Sequence, residues 1–257
     1  MDNTVERSPS SFDTPNVRKV GATRPFFWLR LGLSDIARMP VASLSYGVGF
    51  AVIGGIILSL GWGASHIVPA LTTGFMLVAP FLAIMLYALS RQIELGEEVN
   101  SVEAFHSWRK NSGSVSLFGL MLALTLIMWE RVAAIIFALF YGGDVPDLRN
   151  FLADVLFSGR YNELLIAYFG VGGIVAAVVF ALSVVSLPMM LDRDVDIATA
   201  MVTSVKCVIH NPVPMLVWAV TIVVLMAIAF GTWMIGLVLV FPWLGHATWH
   251  AYRDLVD

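Results

Sequence analysis

A single cysteine, Cys207, stands in the whole chain, which excludes an intrachain disulfide and any site built from several thiolates. Charge is almost as scarce. Asp, Glu, Lys and Arg make up 13% of the residues, against about a quarter in soluble domains. The formal net charge is −3 and the sequence pI is about 5.9, so the basic surface required of a nucleic-acid partner is missing. Histidines number five, and His66, His106 and His210 all fall in polar connectors. No phosphate-cradling glycine loop, nucleophile elbow or HExxH pair occurs. The first 24 residues have no apolar run and do not read as a cleavable signal peptide; they read as a disordered tail.

What is abundant is apolar surface: 58% of the residues are hydrophobic and the mean hydropathy is +0.83. A soluble core has no use for that much, so the solvent is lipid. Residues 25–257 read as one integral membrane domain, all α-helical, with six spans at about 41–60, 70–90, 115–141, 163–187, 213–230 and 233–252, each long enough for a bilayer core of about 30 Å. Gly47, Gly49, Gly54 and Gly55 in the first span permit close helix packing. Gly61–Pro69 is a turn, and Phe151–Phe157 is placed as a short helix in a polar connector.

Between the spans lie segments too charged to cross. Pro25 opens the first, Phe26–Met39, whose apolar face carries Leu29, Leu33 and Ile36 until Pro40 stops it. A second follows at Ser101–Lys110, where Asn100 and Glu103 resemble a capping box. The third, Asp196–His210, is capped by Asp196, with Ile197, Met201, Val205 and Val208 on its apolar stripe and Thr199, Thr203, Lys206 and His210 opposite. All three are expected to lie in the membrane interface.

Twelve of the 15 Lys and Arg residues fall on one side of this layout: six up to Arg38, three in 91–114, two in 188–211, and Arg253. Arg149 and Arg160 fall on the other, and Arg131 within a span. The positive-inside rule makes the twelve cytoplasmic, and both termini with them. A weak repeat runs through the layout. Phe81–Arg91 aligns without a gap on Trp243–Arg253, each copy beginning just after a proline (Pro80, Pro242), and Pro188–Arg193 forms a shortened third copy. The pattern is three hairpins, each preceded by a cytoplasmic amphipathic helix; internal repeats are common in transporters, though no proof of transport.

The residues Pro188, Asp192-Arg193-Asp194, Ala200 and Ser204, with Asn211-Pro212 and the run from Pro242 through Gly245-His246-Ala247-Thr248-Trp249-His250-Ala251-Tyr252-Arg253-Asp254, resemble an uncharacterised bacterial family of integral membrane proteins, domain of unknown function 2189. The resemblance extends over most of the chain after the tail. It implies a multi-pass protein of the bacterial inner membrane and supplies no catalytic residues. A haem–copper oxidase subunit is excluded, since it needs many more spans and intramembrane histidines.

Two constellations could carry chemistry. His246 and His250 share one helix face, which Arg253 continues. Such a pair can ligate a divalent metal or a haem iron, or serve as a structural polar clasp facing the base of the bundle. For the clasp, Lys206, His210 or a backbone carbonyl of the third amphipathic helix are the expected partners. Glu130 and Arg131 form the only charged pair deep in a span: an outer-interface anchor beside Trp129, or a buried polar site on a substrate or proton path. Adjacent residues point about 100° apart on a helix and are poorly placed to pair. The acidic run Asp192–Asp196 is explained by a helix N-terminus. These features favour an accessory or scaffold component without chemistry of its own, partnered by the bilayer and by other membrane proteins or a second copy. The alternatives are a small-solute or ion transporter or channel, and a haem- or metal-binding membrane protein.

Overall fold

The structure is a computed structural model and describes residues 14–60, 68–141, 155 and 157–257. Eleven helices are numbered here: α1 (Arg24–Arg38), α2 (Pro40–Leu60), α3 (Val68–Leu82), α4 (Ile84–Leu95), α5 (Ser101–His106), α6 (Ser112–Phe140), α7 (Asn162–Ser183), α8 (Ser186–Asp192), α9 (Ile197–His210), α10 (Pro212–Gly231) and α11 (Leu237–Leu255). A 3-10 turn, Ser107–Asn111, joins α5 to α6. Among the described residues there is no strand beyond one isolated antiparallel bridge, Val17 to Val256.

Five stretches among the described residues are long and apolar enough to cross a membrane: Pro40–Ile57, Leu71–Leu95, Ser101–Phe140, Asn162–Asp192 and Pro212–Gly231. They correspond to the first five sequence-expected spans. The sixth differs. Its helix starts at Leu237 rather than at 233, because Thr232–Gly236 forms a turn in which Trp233 and Met234 take positive φ (53° and 68°). The Thr232 hydroxyl braces it, donating to the Ala229 carbonyl and accepting from Gly236 N–H. His246, His250, Arg253 and Asp254 then make the second half of α11 too polar to qualify by composition. Burial compensates: twelve of its 19 residues are buried, so α11 is sheathed by protein.

Helices α1, α2, α4, α8 and α10 all pack against α11. Backbone contact makes this possible. A Cβ on Gly47 would sit 2.1 Å from the Val238 carbonyl oxygen, and one on Gly32 2.8 Å from Ala247 N; only glycine lets α2 and α1 approach so closely. Phe50 stacks between Phe241 and Phe75, with ring centroids 3.5 and 4.2 Å apart. Trp28 meets Trp218 edge to face at 5.7 Å.

The connectors depart from expectation in instructive ways. Residues 1–13 of the expected tail, the turn at 61–67 and most of the expected Phe151–Phe157 helix lie outside the described residues. Residues 14–20 are fastened rather than loose: Arg18 N–H donates to the Leu255 carbonyl, Asp257 N–H to that of Asn16, and Arg18 pairs with Asp257. Asn100 caps α5 through Val102 and Glu103 N–H, but its own N–H goes to Gln92 rather than to Glu103, so half of the capping box forms. Asp196 caps α9, accepting from Thr199 N–H and Oγ1. On α9 the fully buried face is the small, hydroxyl-rich one, Thr199, Ala200, Thr203, Ser204 and Cys207, while Ile197, Met201 and Val208 of the aliphatic stripe are partly buried against the core. Short side chains bring α9 close to α7 and α8, and Thr203 satisfies its own hydroxyl on the Thr199 carbonyl.

Candidate functional site

The i, i+4 spacing places His246 and His250 on the face of α11 that meets α1, α2 and α4. His246 is fully buried, and His250 keeps 16% of its side chain exposed. Short polar side chains meet them from three helices. Ser43 of α2 reaches His246 Nε2 at 2.9 Å. Ser90 of α4 reaches His246 Nδ1 at 2.8 Å and donates to Asp35 Oδ2 at 2.7 Å. Asp35 of α1 is 3% exposed and holds His250 Nε2 at 2.8 Å. Glycines set the distances: Gly32 lets α1 onto α11, and Gly245 lies where a Cβ would meet the Leu86 side chain at 2.5 Å.

Proton bookkeeping fixes the directions. The Ser90 hydroxyl has one proton and gives it to Asp35, so its oxygen accepts from His246 Nδ1–H. With Nδ1 protonated, the neutral imidazole offers Nε2 as acceptor to the Ser43 hydroxyl. The Asp35 carboxylate accepts from His250 Nε2–H. The result is a continuous chain, Ser43–His246–Ser90–Asp35–His250, across four helices.

A second polar layer lies nearer the chain ends. Glu94 accepts from Trp249 Nε1 and Arg253 Nε, both at 2.8 Å. Asp192 of α8 accepts from Arg91, Tyr252 and Arg253 at 2.9, 2.8 and 3.3 Å, and Arg193 donates to the Tyr252 hydroxyl at 3.0 Å. Asp254 takes a bidentate pair from Arg24, both bonds 2.7 Å, and a third bond from Trp28 Nε1 at 2.8 Å. Burial pushes the Asp254 carboxyl up, but the bonds from Arg24 and Trp28 and the Arg24 charge outweigh it and hold the group below the ordinary carboxylate range. The Asp254 hydrogen bond, opposed by burial, holds Arg24 above its usual value.

The structure therefore gathers His246, His250 and Arg253 at one place, with partners other than the expected ones. Lys206 bonds Thr14 and the His210 ring bonds the Lys206 carbonyl; neither meets the α11 histidines, because α9 packs on α7 and α8 while α1, α2 and α4 cover this face of α11. Asn211 instead ties the N-terminal segment, accepting from Val20 N–H and donating to the Arg18 carbonyl. Glu130 and Arg131 stand elsewhere, on α6. They do pair, at 3.3 Å, since the long arginine stem folds back, and Arg131 is 77% exposed. Trp129 is buried and donates to Thr73 Oγ1 at 2.6 Å, so it faces the bundle rather than anchoring an interface.

Sequence reasoning missed Asp35, Ser43, Ser90 and Glu94. Asp35 left a signal: it is the only acid in α1 and shares a face with Trp28 and Gly32. The serines left none. Among the described residues no three His, Cys, Asp or Glu side chains are grouped to hold a metal ion.

No curated protein and no solved structure matches the chain. One family, described as a predicted integral membrane protein (DUF2189), matches residues 67–192, a segment that includes Ser90, Glu94 and Asp192 but stops short of the closing run from Asn211 to Asp254. Over that segment, just under half of its length, the chain matches the DUF2189 family of predicted integral membrane proteins.

Proposed function

We propose that this is a non-catalytic accessory or scaffold component of a bacterial inner-membrane assembly, crossing six times with α11 as the sixth span and both termini cytoplasmic. The observation that carries the reading is the closed chain from Ser43 to His250. His246 and His250 are joined through Ser90 and Asp35 in a clasp that ties α1, α2, α4 and α11. Opening the chain leaves a buried donor or acceptor unsatisfied, at about 1–3 kcal/mol for each, so the clasp favours rigidity over turnover.

The asymmetry of Lys and Arg supports the orientation. So does the meeting of Asn16 and Arg18 with Leu255 and Asp257 at the end of the bundle that carries Arg91, Arg193 and Arg253. The three-fold repeat gains support from packing. The aligned segments belong to α4, α8 and α11, which contact one another. Each amphipathic helix lies on the returning arm of another hairpin in cyclic order: α5 on α4, α9 on α8 and α1 on α11. Exposed Phe26, Leu33, Val102 and Phe105 offer lipid or partner contacts along that end.

A transporter is the second reading, favoured by a cleft that ends on the buried Asp35–His250 pair, since buried ionisable groups in membrane bundles mark transport paths. A haem or divalent metal at His246 and His250 would require the clasp to open, because both nitrogens of His246 are hydrogen-bonded. Purification from native membranes in mild detergent, with quantitative mass spectrometry, tests the first reading. A stoichiometric partner complex that dissociates when the chain is deleted is expected. An isolated chain that moves a solute or protons across proteoliposomes would overturn it in favour of the second.

A further inference from the structure

Beside the clasp, α1, α4 and α11 part into a cleft of about 400 Å³ whose floor is the Asp35–His250 pair. Because Asp35 takes the Nε2 proton, the other ring nitrogen of His250 is left to the cleft; Nδ1 has no partner among the described residues. The carboxylates in the wall are already engaged: Asp254 by Arg24 and Trp28, Glu94 by Arg253 and Trp249. Those pairs also occupy the Arg24 and Arg253 guanidiniums. Arg38, in the last turn of α1, is exposed on the same cleft without an ion pair among the described residues. What the lining leaves available is one guanidinium, the Ser34 hydroxyl and one imidazole nitrogen. Phe27 and Leu31 make the adjoining wall apolar, and Phe27, 42% exposed, continues onto Phe26 and Leu33 on the outer surface of α1.

We propose that this cleft binds the head group of an anionic phospholipid, with Arg38 and His250 Nδ1 on the phosphate oxygens and the acyl chains leaving along Phe27 and the outer face of α1. Guanidinium forks match phosphate geometry, and a cation beside an apolar wall at the membrane surface suits a head group better than a free ion. The proposal shares the membrane setting of the proposed function but does not depend on the accessory role. His250 Nδ1 donates to phosphate only from the protonated ring. The charges around it are Asp35 and Arg38 from α1, Glu94 from α4, and Arg253 and Asp254 from α11, with Arg24 on Asp254.

Native mass spectrometry of the full chain in mild detergent tests this, with phosphatidylglycerol and phosphatidylcholine of matched acyl chains titrated separately. Phosphatidylglycerol should bind roughly tenfold or more tightly, the size of one charge-assisted hydrogen bond. Arg38→Gln should remove most of that preference, and His250→Gln should remove a comparable part. Arg30→Gln, on the exposed face of α1 outside the cleft, should leave it unchanged. Equal retention of the two lipids, or equal losses from Arg30→Gln and Arg38→Gln, would overturn the proposal. Displacement of phosphatidylglycerol by inorganic phosphate would also overturn it, by making this a site for a free anion. If His250→Gln fails to fold, the contrast between Arg38 and Arg30 decides alone.

Discussion

Replacing Ser90 with alanine removes one oxygen and breaks the clasp at its middle. Two bonds go: the 2.7 Å bond to Asp35 and the 2.8 Å bond from His246 Nδ1. The first is a bond to a charged group, about 1.5–3 kcal/mol; the loss of the second leaves an N–H unsatisfied on a fully buried ring, about 1–3 kcal/mol. Together they predict a loss of about 2.5–6 kcal/mol. The competing estimate is much smaller. Hydrogen bonds between membrane helices average about 0.6 kcal/mol in double-mutant cycles, because the unfolded chain in the membrane also finds partners; two such bonds give about 1 kcal/mol. The larger value should hold here, since Ser90 and His246 are both 0% exposed and the orphaned groups have no water to turn to. Unfolding in mild detergent of wild type, Ser90→Ala, His246→Phe and the double variant measures both the loss and the coupling. The coupling should exceed about 1 kcal/mol, as for residues in one network. A Ser90→Ala loss within about 0.5 kcal/mol of zero, the size of a neutral surface change, together with additive singles, would refute the clasp.

Three further outcomes follow from the geometry. Gly47→Ala should cost about 1–3 kcal/mol of stability as an overpacking substitution, since its Cβ would press on the Val238 backbone, whereas Gly49→Ala, with open space around it, should be neutral; melting curves in detergent compare them. Arg131→Leu should leave the melting temperature unchanged or higher, because the side chain is 77% exposed, while Trp129→Phe should lower it through loss of the bond to Thr73. The Asp254 carboxyl lies below its unfolded value, so its contribution to stability is complete above the ordinary carboxylate range and is lost as the pH falls through the lower, folded value. Acid unfolding of Asp254→Asn should accordingly lose part of the pH dependence seen in wild type.

The helices were legible because hydrocarbon thickness sets their length and prolines punctuate them. Pro25, Pro40 and Pro212 open α1, α2 and α10 in their first turns. Packing faces were less legible, because lipid and protein accept the same apolar side chains. On α9 the hydroxyls of Thr199, Thr203 and Ser204 turned inward, while Ile197, Met201 and Val208 of the aliphatic stripe pack only partly against the core. The α11 histidines could be singled out by spacing, and their inward aim follows from the cost of an unpartnered imidazole in hydrocarbon. Their partners could not: Asp35, Ser43 and Ser90 lie 156 to 215 positions away in sequence, joined by helix approaches that depend on Gly32 and Gly245.

The most direct test of the clasp is elemental analysis and a visible spectrum of the purified wild type and the His246→Ala/His250→Ala variant, read with their unfolding midpoints. A protein free of metal and haem, whose midpoint falls in the double variant by the equivalent of several kcal/mol, as expected for a broken buried network, is the predicted result. A stoichiometric metal or haem that disappears in the double variant would contradict the account.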